Sequence, residues 1–198
     1  MTRRARTPTV GAMTNTTATN ATGFDNALSG NRRFATARGH EAAVAFPRLG
    51  LLVVTCVDHR VDPAHFLELD LGDALVIRNN GGRVTPEVIE TVAFVGQLAE
   101  TLIADGPLFE VAVIHHTQCG SRVLADHDFR HRYADRIGAD EAEVFELAVL
   151  DPAATVAADA ERLRLAESVS PRIAVSGHVY DLTTGLVETV APAANRSR

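Results

Sequence analysis

The chain has 198 residues, of which 46% are hydrophobic and 22% are charged, and its formal net charge is −6. This length and composition fit one soluble globular domain and exclude a largely disordered chain. The acidic balance argues against a protein that binds nucleic acid or anionic membranes, which leaves a small-molecule substrate as the expected partner.

The N-terminal residues 1–22 are rich in Thr and lack an apolar period, so they are predicted to form a flexible tail. Met13 lies within this tail and is an alternative start of the protein. The arginines near the N-terminus precede no apolar signal core, and no apolar run reaches the roughly 20 residues of a membrane helix. We therefore expect a cytoplasmic protein.

A single α/β domain is predicted for residues 23–198. Apolar residues recur at helical spacing in residues 24–38, which predicts an amphipathic helix. The apolar run of residues 49–55 shows no polar alternation, which is typical of a strand that is covered on both faces. Further strands are predicted at residues 74–77, 109–114 and 173–180, and further helices at residues 86–104, 140–150 and 153–168.

The alternation of strands and helices predicts a mostly parallel central sheet flanked by helices. The sequence DLTTG at residues 181–185 indicates a turn before a last strand, which would add an antiparallel edge strand. Ligands of such sheets bind outside the carboxyl ends of the strands. Functional residues are therefore expected directly after the strands.

Three candidate metal ligands stand at such positions. Cys56 follows the first predicted strand, and His116 and Cys119 follow the third, so the three side chains can meet at one edge of the sheet. Two thiolates and one imidazole suit zinc, and three protein ligands leave a fourth position for water, as in catalytic zinc sites. Water bound there has a pKa of about 7, so hydroxide forms near neutral pH.

Some alternatives stay open for these residues. A buried cysteine is often only a small apolar side chain, but the placement of both cysteines after strands favours metal binding. Spacing alone does not decide whether His115 or His116 faces the metal, although the H-x-x-C spacing favours His116. A closed structural zinc site is a further alternative, since Asp58 can supply a fourth ligand.

Asp58 and Arg60 lie two residues apart just after Cys56, so their side chains leave an extended stretch on the same face and can pair. The guanidinium keeps the carboxylate ionised, and an ionised carboxylate beside the metal can accept a proton. The alternative is an ordinary surface ion pair. The adjacent candidate ligand favours the catalytic role.

The second strand ends in a glycine-bearing stretch that is a candidate for the pocket rim. Its residues are Asn80, Gly81 and Gly82, and glycine permits positive φ and close backbone approach. A simple turn between strand and helix is the alternative. Weaker candidates for moving protons are His59, His65, His127 and His131.

The motifs CVDHR at residues 56–60 and HTQCG at residues 116–120 resemble the C-x-D-x-R and H-x-x-C-G elements of β-class carbonic anhydrases. The likeness also covers LSGNRRFA, GDALVIRNNGG and HVYDLTTGLVETV. The resemblance implies reversible hydration of carbon dioxide to bicarbonate and a homodimer or homotetramer in which the helix of residues 24–38 reaches over a neighbouring subunit. It implies one zinc ion per chain on Cys56, His116 and Cys119, and a dyad of Asp58 and Arg60.

The chain departs from the family pattern at three positions. His59 stands where the family has Ser, Gln118 where it has Asp, and Asn80 where it has Ala. These departures keep the ligands and the dyad but are expected to alter the pocket. The HHT arrangement and the short chain resemble a subgroup of the family whose members include hydrolases of carbonyl sulfide and carbon disulfide. Hydrolysis of one of these sulfur compounds is therefore the alternative function. A second alternative is a non-catalytic zinc protein or bicarbonate sensor.

Overall fold

The computed structural model describes residues 23–196. The predicted tail of residues 1–22 lies outside the described residues. The chain divides into two compact units, one ending at Glu41 and the other beginning at Ala42. The prediction of one domain for residues 23–198 stays a prediction.

The first unit contains helix α1 (Gly23–Thr36), which agrees with the helix predicted for residues 24–38. An aspartate in its first turn and an arginine in its last turn complement the helix dipole. None of its residues is buried, and its large apolar side chains are exposed. These side chains are Phe24, Leu28 and Phe34.

The second unit is built on a five-stranded sheet. Its strands are β1 (Leu51–Cys56), β2 (Ala74–Asn79), β3 (Glu110–His116), β4 (Ala174–Tyr180) and β5 (Val187–Ala194). They lie in the order β2-β1-β3-β4-β5. The first four run parallel, and β5 pairs antiparallel with β4. The predicted fold class, a mostly parallel sheet with an antiparallel edge strand, is thereby confirmed.

Helices flank this sheet and connect its strands. They are α2 (Pro63–Phe66), α3 (Pro86–Leu102), α4 (His127–Ile137), α5 (Glu141–Glu146) and α6 (Pro152–Leu165), with 3-10 helices at Asn80–Gly82 and Gly120–Ala125. A further 3-10 helix at Gly39–Ala42 precedes β1 in the sequence. Four helices begin at aspartates whose side chains accept backbone N–H groups, namely Asp62, Asp126, Asp140 and Asp151. No helix among the described residues is both long and apolar enough to cross a membrane.

Helix α4 was not predicted, because its sequence is polar and buries only Ala134. Two local signals mark it nevertheless. Asp126 caps its first turn, and Gly138 ends it in the left-handed conformation with φ 66°.

The main core lies on the face of the sheet that α3 and α6 cover. Alternate residues of neighbouring strands contribute to it, including Leu52, Val54, Val111 and Val113. The opposite face carries a smaller cluster around Val53, Ala112 and Ile114. Burial on both faces explains the continuous apolar runs of β1 and β3 and fixes the strand ends that carry the candidate site.

Candidate metal centre

The carboxyl ends of β1 and β3 bring together three candidate ligands. Cys56 is the last residue of β1, His116 is the last residue of β3, and Cys119 follows in the next turn. One ligand atom of each residue lies within 4.8 Å of the other two, and all three residues are buried. Within residues 23–196, no other group of His, Cys, Asp and Glu side chains converges in this way.

The geometry of this group fits a tetrahedral zinc ion. The sulfur atoms of Cys56 and Cys119 are 4.0 Å apart, and two sulfurs bound to one tetrahedral zinc ion at about 2.3 Å would be about 3.8 Å apart. Nδ1 of His116 donates to the carbonyl of Thr117 at 2.9 Å, which leaves the lone pair on Nε2. That Nε2 atom is buried without a hydrogen-bond partner, so a metal ion would satisfy a group that is otherwise costly to bury.

His115 points away from the two cysteines. Its Nε2 donates to the carbonyl of Gly82 at 3.1 Å and lies 3.4 Å from a carboxylate oxygen of Asp159. Successive side chains of a strand point to opposite faces, so only one of the two adjacent histidines can face the cysteines. The structure places His116 there.

The two thiols form a strongly coupled pair. The hydrogen bond from Cys56 lowers the pKa of Cys119 to about 6. The same hydrogen bond, together with burial, raises the pKa of Cys56 to about 12. One proton therefore leaves the pair readily, and a cation between the sulfurs would displace the second, because metal-bound thiols are deprotonated.

Asp58 and Arg60 form the predicted ion pair. Arg60 donates to Oδ2 of Asp58 through Nη2 at 2.6 Å and to Oδ1 through Nε at 3.0 Å and the backbone N–H at 2.9 Å. These hydrogen bonds hold the pKa of the Asp58 carboxyl well below its usual range. Asp58 does not belong to the group of converging ligand atoms.

The glycine-bearing turn after β2 packs against the ligand-bearing strand. Gly82 has φ 69°, and a Cβ atom there would lie 2.9 Å from the backbone nitrogen of Cys56. Gly81 has φ 80°. Asn80 and Gly81 line the cavity described below, whereas Gly82 does not line it and lies against the backbone of β1.

A cavity of about 310 Å³ opens at Cys56 and Asp58. Most of its lining is apolar, and much of it comes from α4 and the segments before and after that helix. These contributions were not predicted from the sequence, because α4 itself was not predicted. The lining includes Val57, Val123, Leu124, Phe129, Tyr133 and Leu147.

A buried network of Asp159, Arg83 and His115 supports the glycine-bearing turn of residues 80–82. Asp159 of α6 accepts hydrogen bonds from Arg83 Nε at 2.7 Å, Arg83 Nη2 at 3.2 Å and the backbone N–H of Val84 at 3.1 Å. Burial raises the pKa of Asp159, but hydrogen bonds from His115 and Arg83 outweigh it and bring this pKa to about 2. The network was not predicted, although an aspartate among apolar residues in the middle of a helix is a usable signal.

Comparisons with known proteins point to one family. A family model described as carbonic anhydrase matches residues 51–187. Beta-carbonic anhydrase 1 of Mycobacterium tuberculosis is 31% identical over 149 residues, which cover 74% of this chain and 85% of that protein. The structure of a carbonic anhydrase from Streptococcus mutans matches with a TM-score of 0.71 and 30% identity, covering 86% of this chain and 98% of that one. A carbon disulfide hydrolase shares the fold, with a TM-score of 0.57 and 20% identity, over 83% and 89% of the two chains.

Proposed function

Because the chain belongs to the β-carbonic anhydrase family, we propose that it hydrates carbon dioxide reversibly to bicarbonate with a zinc ion held by Cys56, His116 and Cys119. Family membership confirms the resemblance of the motifs and makes the chain a carbonate dehydratase. The zinc proposal depends above all on the buried group of three ligand atoms, in which Nε2 of His116 has no protein partner.

A zinc ion bound there would act as a Lewis acid and lower the pKa of a coordinated water to about 7. The residues of the chain then have to take up the proton and hold the carbon dioxide. Asp58 is the proposed proton acceptor. Its Oδ1 atom already accepts two hydrogen bonds from Arg60, whereas Oδ2 accepts only one. Since each carboxylate oxygen has about two lone-pair sites, Oδ2 keeps one that is free for the reacting group.

Arg60 keeps this acceptor ionised and in place. Besides the two side-chain hydrogen bonds to Asp58, its Nη2 atom donates to the carbonyl of Gln118 at 3.3 Å. The guanidinium thus joins the segment after β1 to the segment between His116 and Cys119. We propose that this bridge orients the carboxylate toward the pocket and prevents it from becoming a fourth ligand.

The cavity beside Asp58 supplies the substrate site in this proposal. Its mainly apolar walls suit carbon dioxide, which is uncharged and binds little water. They also reduce the number of water molecules that compete for the proton-accepting carboxylate. Bicarbonate, which is charged, is held less well by such walls and leaves readily.

We also propose that the protein forms a homodimer or homotetramer in which α1 packs on a neighbouring subunit. Phe24 is 71% exposed and Phe34 is 43% exposed, and no residue of α1 is buried. Several exposed apolar side chains on one helix favour an interaction site there.

The proposal is tested by zinc analysis and stopped-flow measurement of carbon dioxide hydration on the purified protein. Parent protein is expected to carry one zinc ion per chain and to be active. His116→Gln is expected to lose most of the zinc and the activity. His178→Gln is the matched control, because both ring nitrogens of His178 already have partners in Ser176 and Thr189.

Equal zinc contents in His116→Gln and His178→Gln would refute the proposed ligand set. Hydrogen sulfide release from carbonyl sulfide is measured on the same zinc-loaded preparation. Faster turnover of carbonyl sulfide than of carbon dioxide would make the sulfur compound the main substrate. Full zinc occupancy without turnover of either compound would indicate a binding protein.

A further inference from the structure

A serine hydroxyl lies against one of the candidate ligand sulfurs. Ser121 belongs to the 3-10 helix Gly120–Ala125, and its Oγ atom is 3.1 Å from the sulfur of Cys119. The backbone N–H of Val149 donates to the same Oγ atom at 3.3 Å. Ser121 therefore joins the ligand-bearing turn to a segment that lies 28 residues further along the chain.

The direction of the hydrogen bond to sulfur follows from the chemistry of the ligand. A cysteine that binds zinc is a thiolate and has no proton to donate. One lone pair of the Ser121 oxygen already accepts from Val149. In the metal-bound protein the hydroxyl proton of Ser121 is thus the donor, and the Cys119 sulfur is the acceptor.

Each of the two sulfurs then accepts hydrogen bonds from the protein, and Cys119 also accepts from the backbone N–H of Ser121. Cys56 accepts from the backbone N–H of Asp58 at 3.4 Å, and Cys119 accepts from the side chain of Ser121 at 3.1 Å. The two sulfurs are 4.0 Å apart, so two thiolates repel each other strongly at this buried place. A donor at each sulfur offsets part of that repulsion. Of these donors, only the hydroxyl of Ser121 belongs to a side chain and can be removed by substitution.

The glycine-bearing turn after β2 leaves room for the contact between Ser121 and Val149. A Cβ atom at Gly81 would lie 3.1 Å from Oγ of Ser121 and 3.2 Å from Cγ2 of Val149. Glycine at this position therefore allows the turn to pack directly on the hydroxyl and its partner. This packing limits the other positions that the hydroxyl can adopt.

We propose that Ser121 is a positioning residue for the metal centre, whose hydroxyl orients the Cys119 thiolate and weakens its electron donation to the metal. Hydrogen bonds to a ligand sulfur act in this way in general, because they withdraw charge from the metal–sulfur bond. The inference rests on the proposed zinc centre. It concerns a residue that neither the motif of residues 116–120 nor the Asp58–Arg60 pair includes.

The test compares Ser121→Ala with Ser170→Ala in the full-length protein. Ser170 is a matched control, since it also donates through its hydroxyl, to Glu100 at 2.5 Å, and also accepts a backbone N–H, from Arg172 at 3.4 Å. Zinc affinity is measured by competition with a chelator. Cobalt(II) is then substituted for zinc, and the sulfur-to-cobalt charge-transfer band is recorded in the near ultraviolet.

Ser121→Ala is expected to bind zinc about 10-fold more weakly, because the Cys119 thiolate loses the donor that orients it and offsets its repulsion with Cys56, and these losses outweigh the stronger electron donation of the sulfur. A loss of about 10-fold is at the lower end of the usual effect of removing a partner of a ligand. Its charge-transfer band is expected at longer wavelength than that of the parent, because the sulfur becomes a stronger electron donor. Ser170→Ala is expected to match the parent in both measurements.

Parental zinc affinity and an unmoved band in Ser121→Ala would overturn the inference. Equal changes in the two variants would overturn it as well, since the effect would then come from the loss of any buried hydroxyl. Failure of the parent protein to take up zinc or cobalt would instead refute the proposed metal centre on which the inference rests.

Discussion

Replacing Asp159 with Asn is expected to destabilise the fold strongly, because the change leaves a buried guanidinium without its counter-charge. The Arg83 side chain is 5% exposed and that of Asp159 is 0% exposed. Asp159 receives two hydrogen bonds from Arg83 and one from the backbone of Val84. Breaking a buried ion pair from one side typically costs about 3–5 kcal/mol.

The pH dependence of stability gives a second value for the effect of Asp159→Asn. The pKa of Asp159 is about 2 instead of the ordinary 3.8. A carboxyl group whose pKa is lower in the folded state stabilises the fold above its unfolded pKa, and this stabilisation is lost as the pH falls through the folded pKa. At 1.36 kcal/mol per pKa unit, roughly 2 kcal/mol of the difference between parent and variant is expected to disappear between about pH 4 and pH 2.

Thermal unfolding followed by circular dichroism measures the effect. For a chain of this size, a loss of 1 kcal/mol lowers Tm by about 2–4 °C, so Asp159→Asn is expected to lower Tm by about 6–20 °C. The matched control is Glu161→Gln on the same helix, because Glu161 makes a 3.2 Å ion pair with Arg164 while its side chain is 55% exposed. Exposed pairs contribute about 0–1 kcal/mol. A Tm change in Asp159→Asn no larger than in the control, or a difference that persists unchanged to pH 2, would refute the reasoning.

Three further outcomes are expected. Asp58→Asn should keep its zinc but turn over carbon dioxide about 10² to 10⁴-fold more slowly in stopped-flow assays, as is typical for loss of a proton acceptor, and near-parental turnover would make the ion pair merely structural. Gly82→Ala should lower Tm more than Gly106→Ala. A Cβ at residue 82 would lie 2.9 Å from the backbone of Cys56, whereas a Cβ at residue 106, which also has a positive φ, would have no atom within 4 Å. Equal losses of Tm in the two variants would contradict the packing argument. Deletion of residues 1–22 should leave the oligomer intact in light scattering, whereas deletion through residue 38 should weaken it, and a monomeric parent protein would contradict the proposed subunit contact.

The local sequence was enough to predict the sheet and the edge at which the candidate ligands meet. The runs that became β1 and β3 are apolar without alternation, because both faces of these strands are covered, and this pattern is visible in a single sequence. Cys56 and His116 end those strands, so the topology of a parallel sheet brings them to the same edge. The first turns of several helices were equally readable, as Pro86 and Pro152 show.

Tertiary structure decided which side chains face each other across long stretches of chain. The choice between His115 and His116 depended on which face of β3 is directed toward Cys56. The spacing of residues alone does not give this orientation. Asp159 meets Arg83 over a separation of 76 residues, and Ser121 meets the backbone of Val149 over 28. Periodicity and motifs report whether a residue is buried or what chemistry it offers, but a partner is chosen by the packing of whole helices and turns, which only the folded chain defines.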